Sequence, residues 1–331
     1  MTDLVYHHKF YTNQKPGENI IIDLERGYID KIIQACKPTD LFINSVWFEY
    51  DDNMKNLLSK KPERVIIYSG YDWDDRGFKK SVHDKIKEYC DNIFYIGNTD
   101  GKGYFSFWLF FVEKYASKFY RDTPTSTSFN KLFMTLNRRC HLHRVSLVKS
   151  LYEDNLEKYG YISLGDDPDN YFKPIFLPDD VTNDEGDKAS GKAFGITNDI
   201  SGLGNIKYWN DHFINVTTET SINNETFISE KTWKPILGLK PFMILGDPKL
   251  YEYLHDYGID TFDDLFGQGY RHYDWEKRKE WIVDTLLSFK DKDYNDLYNS
   301  ILPRLVKNRD KMPTIFKKNK DRFNYIINNL T

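Results

Sequence analysis

Short apolar runs alternate with longer amphipathic stretches along most of this chain. Asn19 to Asp23, Asp40 to Phe48, Arg64 to Tyr68 and Asn92 to Ile96 are dominated by Ile, Val, Leu and Phe, and are bounded by polar or turn residues. Runs of this length with β-branched enrichment predict strands. Gly27 to Cys36 and Gly77 to Asp91 carry mixed charge at helical spacing, and Ser106 to Tyr120 reads as an apolar, aromatic helix. Strands that are apolar on both sides, separated by helices, predict a parallel sheet covered on both faces.

A polar break at Arg121 to Asn130 interrupts the pattern and is the expected domain boundary. The alternation then restarts. Lys131 to Thr135 and Tyr161 to Leu164 read as strands around a helix at His143 to Lys158. Gly165 to Asn205, rich in Gly, Asp, Asn and Pro, is expected to be a long surface excursion. His212 to Val216 and Pro241 to Gly246 are the next strands, Lys249 to Tyr257 a helix, and the last segment is mostly helical. The expected fold is α/β, with two Rossmann-type parallel-sheet domains facing a cleft. The expected divisions are residues 1–125, 131–290 and a helical tail at 291–331 packing back on the first domain.

Composition narrows the function classes. A chain of 331 residues with 40% hydrophobic content can bury a full core, and a formal charge of −4 gives no global attraction to polyanions. Three cysteines without a C-x-x-C pair speak against a disulfide framework or a zinc knuckle, and fit a reducing cytoplasm. Met1 to Lys9 lacks the apolar core of a signal peptide, and the most apolar run, Tyr104 to Val112, is too short to span a bilayer. A cytoplasmic location is therefore expected.

The most informative chemistry lies between the strands at 212–216 and 241–246. Glu219 to Lys234 packs carboxylates, hydroxyls and lysines between two apolar runs. Ser229 reads as a helix N-cap, which places Glu230 and Lys231 in the first turn. Free amides and the positive dipole end make such a turn an anion site. Lys231 adds a full charge for a phosphate, and Glu230 can accept from the hydroxyls of a ribose. Pro235 is too deep for a helix start, so a kink or restart is expected there. The plainer alternative is a capped surface helix with an ion pair.

Phe227-Ile228-Ser229-Glu230-Lys231, Gly238 and Pro241 to Gly246 resemble the sugar-nucleotide segment of GT-B glycosyltransferases of the fucosyltransferase/exostosin type. Glu219-Thr220-Ser221 stands where that family has E-N-S, with Thr220 in place of the asparagine. The resemblance implies that Glu230 holds a ribose and Lys231 a diphosphate. Phe133 to Arg144 matches a second piece, a strand ending in S-N followed by a phosphate-binding arginine. Asn137 then marks the strand end, and Arg144 or its competitor Arg138 is the implied phosphate ligand; a guanidinium fork suits phosphate oxygens. No metal and no cofactor beyond a UDP- or GDP-linked sugar is implied, and the implied transfer is inverting.

The base for such a transfer is expected from the first domain. Asp72 and Asp74, after the strand at 64–68, lead, followed by Glu49 and Asp51; a solvated acidic turn is the plain alternative. Asp72-Trp73-Asp74 is also a D-x-D, so a GT-A-like metal-dependent enzyme is the alternative activity and a non-catalytic sugar- or nucleotide-binding protein the alternative class. His141 and His143 form an H-x-H without a third ligand at convincing spacing, and are expected beside the phosphate site.

From Arg304 to Arg322 the chain carries eight Lys/Arg and two Asp, either a solvated helix face or a contact for a polyanion. The richness in Asn, Tyr, Lys and Asp resembles proteins of large DNA phages, some of whose GT-B enzymes glycosylate modified DNA bases. Glycan, DNA and small-molecule acceptors all remain open on sequence, as does the oligomeric state.

Overall fold

The computed structural model describes residues 2–7, 20–44, 50–69, 80–97, 105–121, 128–137, 140–165, 175, 177, 201–222 and 227–330. The chain divides into two units, Met1–Phe111 with Phe316–Thr331, and Val112–Ile315. The stretch 291–331 is thus shared between the units, and part of the expected boundary, 122–127, lies outside the described residues.

In the first unit the described elements are β1 (Leu4–Tyr6), α1 (Ile20–Ala35), β2 (Asp40–Asn44), α2 (Asp52–Ser59), β3 (Arg64–Ser69), α3 (Lys80–Lys87), β4 (Ile93–Gly97) and α4 (Phe107–Lys114), which runs on into the second unit. The strands form a four-stranded sheet in the order β1-β2-β3-β4, with every neighbouring pair parallel. Alternate residues divide between two apolar clusters. Phe42, Ile66 and Tyr68 join Ile22, Ile29 and Ile32 of α1 and Phe105 and Phe110. Leu41, Ile43, Val65 and Ile67 join Met54, Leu57 and Leu58 of α2 and Ile86 of α3. This period of two, with both faces buried, is what continuous apolar strands require.

One expected strand is overturned. Ile20 to Ile22 opens α1 instead of forming a strand. Three consecutive isoleucines suit either element, but the buried positions Ile22, Glu25, Ile29 and Ile32 recur at helical spacing and decide for the helix. The aromatic helix expected over 106–120 is two helices, α4 and α5 (Ala116–Arg121).

The end of the chain completes the first cluster. Phe323 and Ile326 belong to the C-terminal part of α13 (Met312–Asn328) and, with Leu330, pack into the α1 side of the core. Arg64 grips both oxygens of Asp40, at 3.0 and 2.6 Å, and also donates to the Leu330 carbonyl at 2.6 Å. The Asn319 amide both accepts from and donates to the Ser106 backbone, at 2.8 and 2.9 Å.

The second unit contains α5, β5 (Lys131–Asn137), α6 (Leu142–Glu153), β6 (Gly160–Leu164), α7 (Ile206–Asp211), β7 (His212–Thr218), α8 (Glu230–Leu237), β8 (Phe242–Leu245), α9 (Lys249–Asp256), α10 (Asp263–Phe266), α11 (Trp275–Phe289) and α12 (Tyr294–Asp310). Its sheet is also four-stranded and wholly parallel, in the order β6-β5-β7-β8. Helices α6 and α11 pack on each other, α6 also on β6 and α11 on β5 and β8, while α8 packs on α12, β7 and β8. Of the excursion from 165 to 205, most lies outside the described residues. No helix among the described residues is long and apolar enough to cross a membrane.

Gly238 follows α8 at a position where a side chain has no room. An added Cβ would lie 2.8 Å from the ring of Trp209. The next residue, Leu239, takes the left-handed conformation (φ 53°), and the Lys240 amide closes the helix end onto the Pro235 carbonyl at 2.8 Å.

Lys240 is fully buried at the opposite, amino-terminal end of the strands. Its Nζ donates to the His212 carbonyl at 2.6 Å and lies 4.1 Å from the Phe129 ring centroid and 5.3 Å from that of Tyr298. Burial lowers its pKa to about 7, with Asp211 acting in the opposite sense. A lysine whose folded pKa is depressed leaves the unfolded chain holding more protons between about pH 7 and its ordinary value near 10.4. Wild-type stability relative to Lys240→Met is therefore expected to rise as pH increases through that window. Urea midpoints of both proteins from pH 7 to pH 10 test this; a constant difference between them refutes it.

Candidate functional site

The strand order reverses direction between β5 and β7. From β5 the chain moves one way to β6, then returns past it to β7 and β8. In open parallel sheets the carboxyl ends at such a reversal are the usual place for ligands. Polar residues gather there.

Asn137, the last residue of β5, fastens three strands. Its amide nitrogen donates to Thr135 Oγ1 and to the Ser163 carbonyl of β6, both at 3.2 Å, and its Oδ1 accepts from Thr218 Oγ1 of β7 at 2.6 Å. It is fully buried, and its side-chain bonds shown here all serve the sheet edge.

Glu219 follows β7 and is also fully buried. Its amide extends the pairing with β8 by donating to the Leu245 carbonyl at 3.0 Å. Its carboxylate reaches forward to the start of α8. Oε1 accepts from the Ser229 amide at 3.1 Å and from Thr232 Oγ1 at 2.6 Å, and Oε2 accepts from Ser229 Oγ at 2.7 Å. Three donors and the positive end of a helix compensate a carboxylate that burial would otherwise penalise. Glu219 thus anchors a helix to a strand.

Ser229 is the N-cap expected from the sequence. Its backbone is extended, and its hydroxyl accepts from the Lys231 amide at 3.3 Å and from Lys231 Nζ at 3.0 Å. Glu230 and Lys231 occupy the first turn, with Lys231 Nζ 3.5 Å from Glu230 Oε1. The side chain of Lys231 is 26% exposed and that of Glu230 only 3%, so the lysine is the more accessible of the two.

The helix does not restart at Pro235, and α8 runs as one helix from Glu230 to Leu237. Proline has no N–H to give the Lys231 carbonyl one turn earlier. Thr217 Oγ1 of β7 stands 3.4 Å from that carbonyl, sharing its one hydrogen with Asn215 Oδ1, which is nearer at 3.0 Å.

The first turn of α6 closes on the same point. His143 Nε2 donates to the Glu219 carbonyl at 2.9 Å, which fixes the tautomer with hydrogen on Nε2. The guanidinium of Arg144 donates to the carbonyls of Thr218 and Glu219 at 3.3 and 3.4 Å. Both residues are buried. Desolvation first, and the adjacent Arg144 second, lower the His143 pKa to about 3, so its imidazole is neutral around pH 7. The His141 and His143 rings are stacked, 5.8 Å between centroids. Among the described residues no three His, Cys, Asp or Glu side chains are grouped to hold a metal ion.

Six residues singled out from the sequence, Asn137, Arg144, Glu219, Ser229, Glu230 and Lys231, therefore meet at one sheet edge, linked by the bonds above. Arg138, Asp72 and Asp74 lie outside the described residues. The sequence reading missed Thr218 and Thr232, and treated His143 only as half of an H-x-H pair. The threonines had a signal, since each immediately flanks an acidic or basic residue of the polar segment. No protein-family model, curated protein or solved structure matches the chain.

Glu219→Ala leaves two hydroxyls and one amide without their acceptor. At roughly 1–3 kcal/mol for each buried group so exposed, a stability loss of about 3 kcal/mol or more is expected in urea unfolding. Glu219→Gln, which keeps one acceptor oxygen, should lose less. A loss below about 1 kcal/mol for the alanine variant would contradict the anchoring role.

Proposed function

We propose that this protein is a glycosyltransferase that binds a nucleotide-diphosphate sugar at the carboxyl edge of the second sheet and passes the sugar to a hydroxyl acceptor. The observation that carries the proposal is the meeting of two helix starts at the strand-order reversal, with Lys231 partly open to solvent in one of them. Helix starts and lysine together favour a diphosphate. The resemblance of Phe227 to Gly246 and of Phe133 to Arg144 to GT-B donor sites supports the same ligand.

In this reading Lys231 meets the diphosphate, and Ser229, which bonds its Nζ, orients it. Glu230 serves the ribose hydroxyls, which must displace its present neighbours because its carboxylate is nearly buried. Arg144 acts from the interior, its guanidinium sharing the end of β7 with His143. Transfer proceeds by attack of the acceptor oxygen on the anomeric carbon. A carboxylate base, Asp72 or Asp74, takes the acceptor proton, and the bond to the diphosphate breaks with its electrons going to the phosphate oxygen. Fixed positive charge at the leaving group stabilises that step.

Calorimetry with UDP and GDP tests the donor site. Lys231→Ala should weaken binding roughly 10-fold or more, the equivalent of about 1.5–3 kcal/mol for a charge-assisted bond, while the thermal midpoint barely moves. Failure of the wild-type protein to bind any nucleoside diphosphate, or unchanged affinity in the variant, rejects the proposal. Donor hydrolysis that EDTA abolishes would transfer the assignment to a metal-dependent enzyme using Asp72 and Asp74.

A further inference from the structure

We infer that Arg278 is a positioning residue for the segment 219–222 that leaves β7 beside the donor site; this rests on the donor site proposed above. Arg278 stands in α11 and is fully buried. One guanidinium nitrogen donates to the carbonyls of His272 and Tyr273, at 2.6 and 2.7 Å, and another to the carbonyl of Ile222. Ile222 lies three residues after Glu219. The segment leaving β7 is therefore held at Ile222 by Arg278, and the segment entering α8 is held at Ser229 by the Glu219 carboxylate.

The next residue along α11 does the same for the other wall of the site. Lys279 Nζ donates to Ser146 Oγ at 3.0 Å, on the α6 turn that carries His143 and Arg144. Two consecutive side chains of one helix thus fix both segments that converge on the Glu219 carbonyl. Desolvation of a guanidinium is unfavourable, and here it lowers the Arg278 pKa against the pull of Asp247 and Asp274. What the arrangement secures is geometry. A planar fork meets carbonyls on separate segments at once, which the single ammonium of a lysine does not reproduce.

Arg278→Lys and Arg278→Met separate this role from plain stabilisation. Hydrogen exchange should quicken at 219–222 and 227–229 in both variants, with the rest of the second unit unchanged. UDP or GDP affinity should fall ~10-fold or more, as expected when ligand-binding groups lose their fixed placement. In donor hydrolysis KM should rise while kcat stays within about two-fold, since the residue touches no reacting atom. Unchanged exchange at 219–222 overturns the inference. So does acceleration spread evenly over the second unit with a matching fall in thermal midpoint, which would mark a general stabiliser. Absence of nucleotide binding to wild-type protein rejects the donor site instead, and leaves the exchange comparison to decide for Arg278.

Discussion

A buried carboxylate joins the end of one strand to the start of the next helix, and the arrangement of the second unit's polar edge follows from it. Glu219 takes donors from Ser229 and Thr232, and its backbone oxygen receives His143 and Arg144. Side chain and main chain of one residue therefore collect α8 from one side and α6 from the other. The carboxylate is stable there because every partner is a donor and α8 presents its positive end.

The same edge shows how a parallel sheet separates support from chemistry. Asn137, Thr218 and Ser163 spend their hydrogen bonds on each other and hold three strand ends in place. Lys231, two residues beyond the N-cap Ser229, keeps part of its side chain in solvent. Buried polar groups saturate one another and fix the frame, and the accessible cation stands on that frame.

Most of the strands were legible because they are largely buried on both faces and so read as short, unbroken apolar runs. Two places differed: β1, three residues at Leu4–Tyr6, is too short to read as an apolar run, and the Ile20 to Ile22 triplet does not distinguish a strand from the buried side of a first helical turn. The N-cap at Ser229 was legible because capping is local chemistry. Glu219 was legible as a polar residue near a strand end, but not as an anchor, because its partners lie 10 and 13 residues ahead across a loop. Arg278 had no sequence signal at all. Its Ile222 partner is 56 residues away and is a backbone carbonyl, a group every residue carries.

Thr217 filling the place left by Pro235 ties the making of α8 to the making of the sheet. An eight-residue helix is too short to persist alone, and this one also lacks a backbone bond in its middle. The Thr217 hydroxyl of β7 stands beside the carbonyl left open, and is shared with Asn215. Helix α8 therefore depends on the strand beside it for part of its support. The turn that carries Ser229 and Lys231 thus rests on the strand beside it as well as on its own backbone.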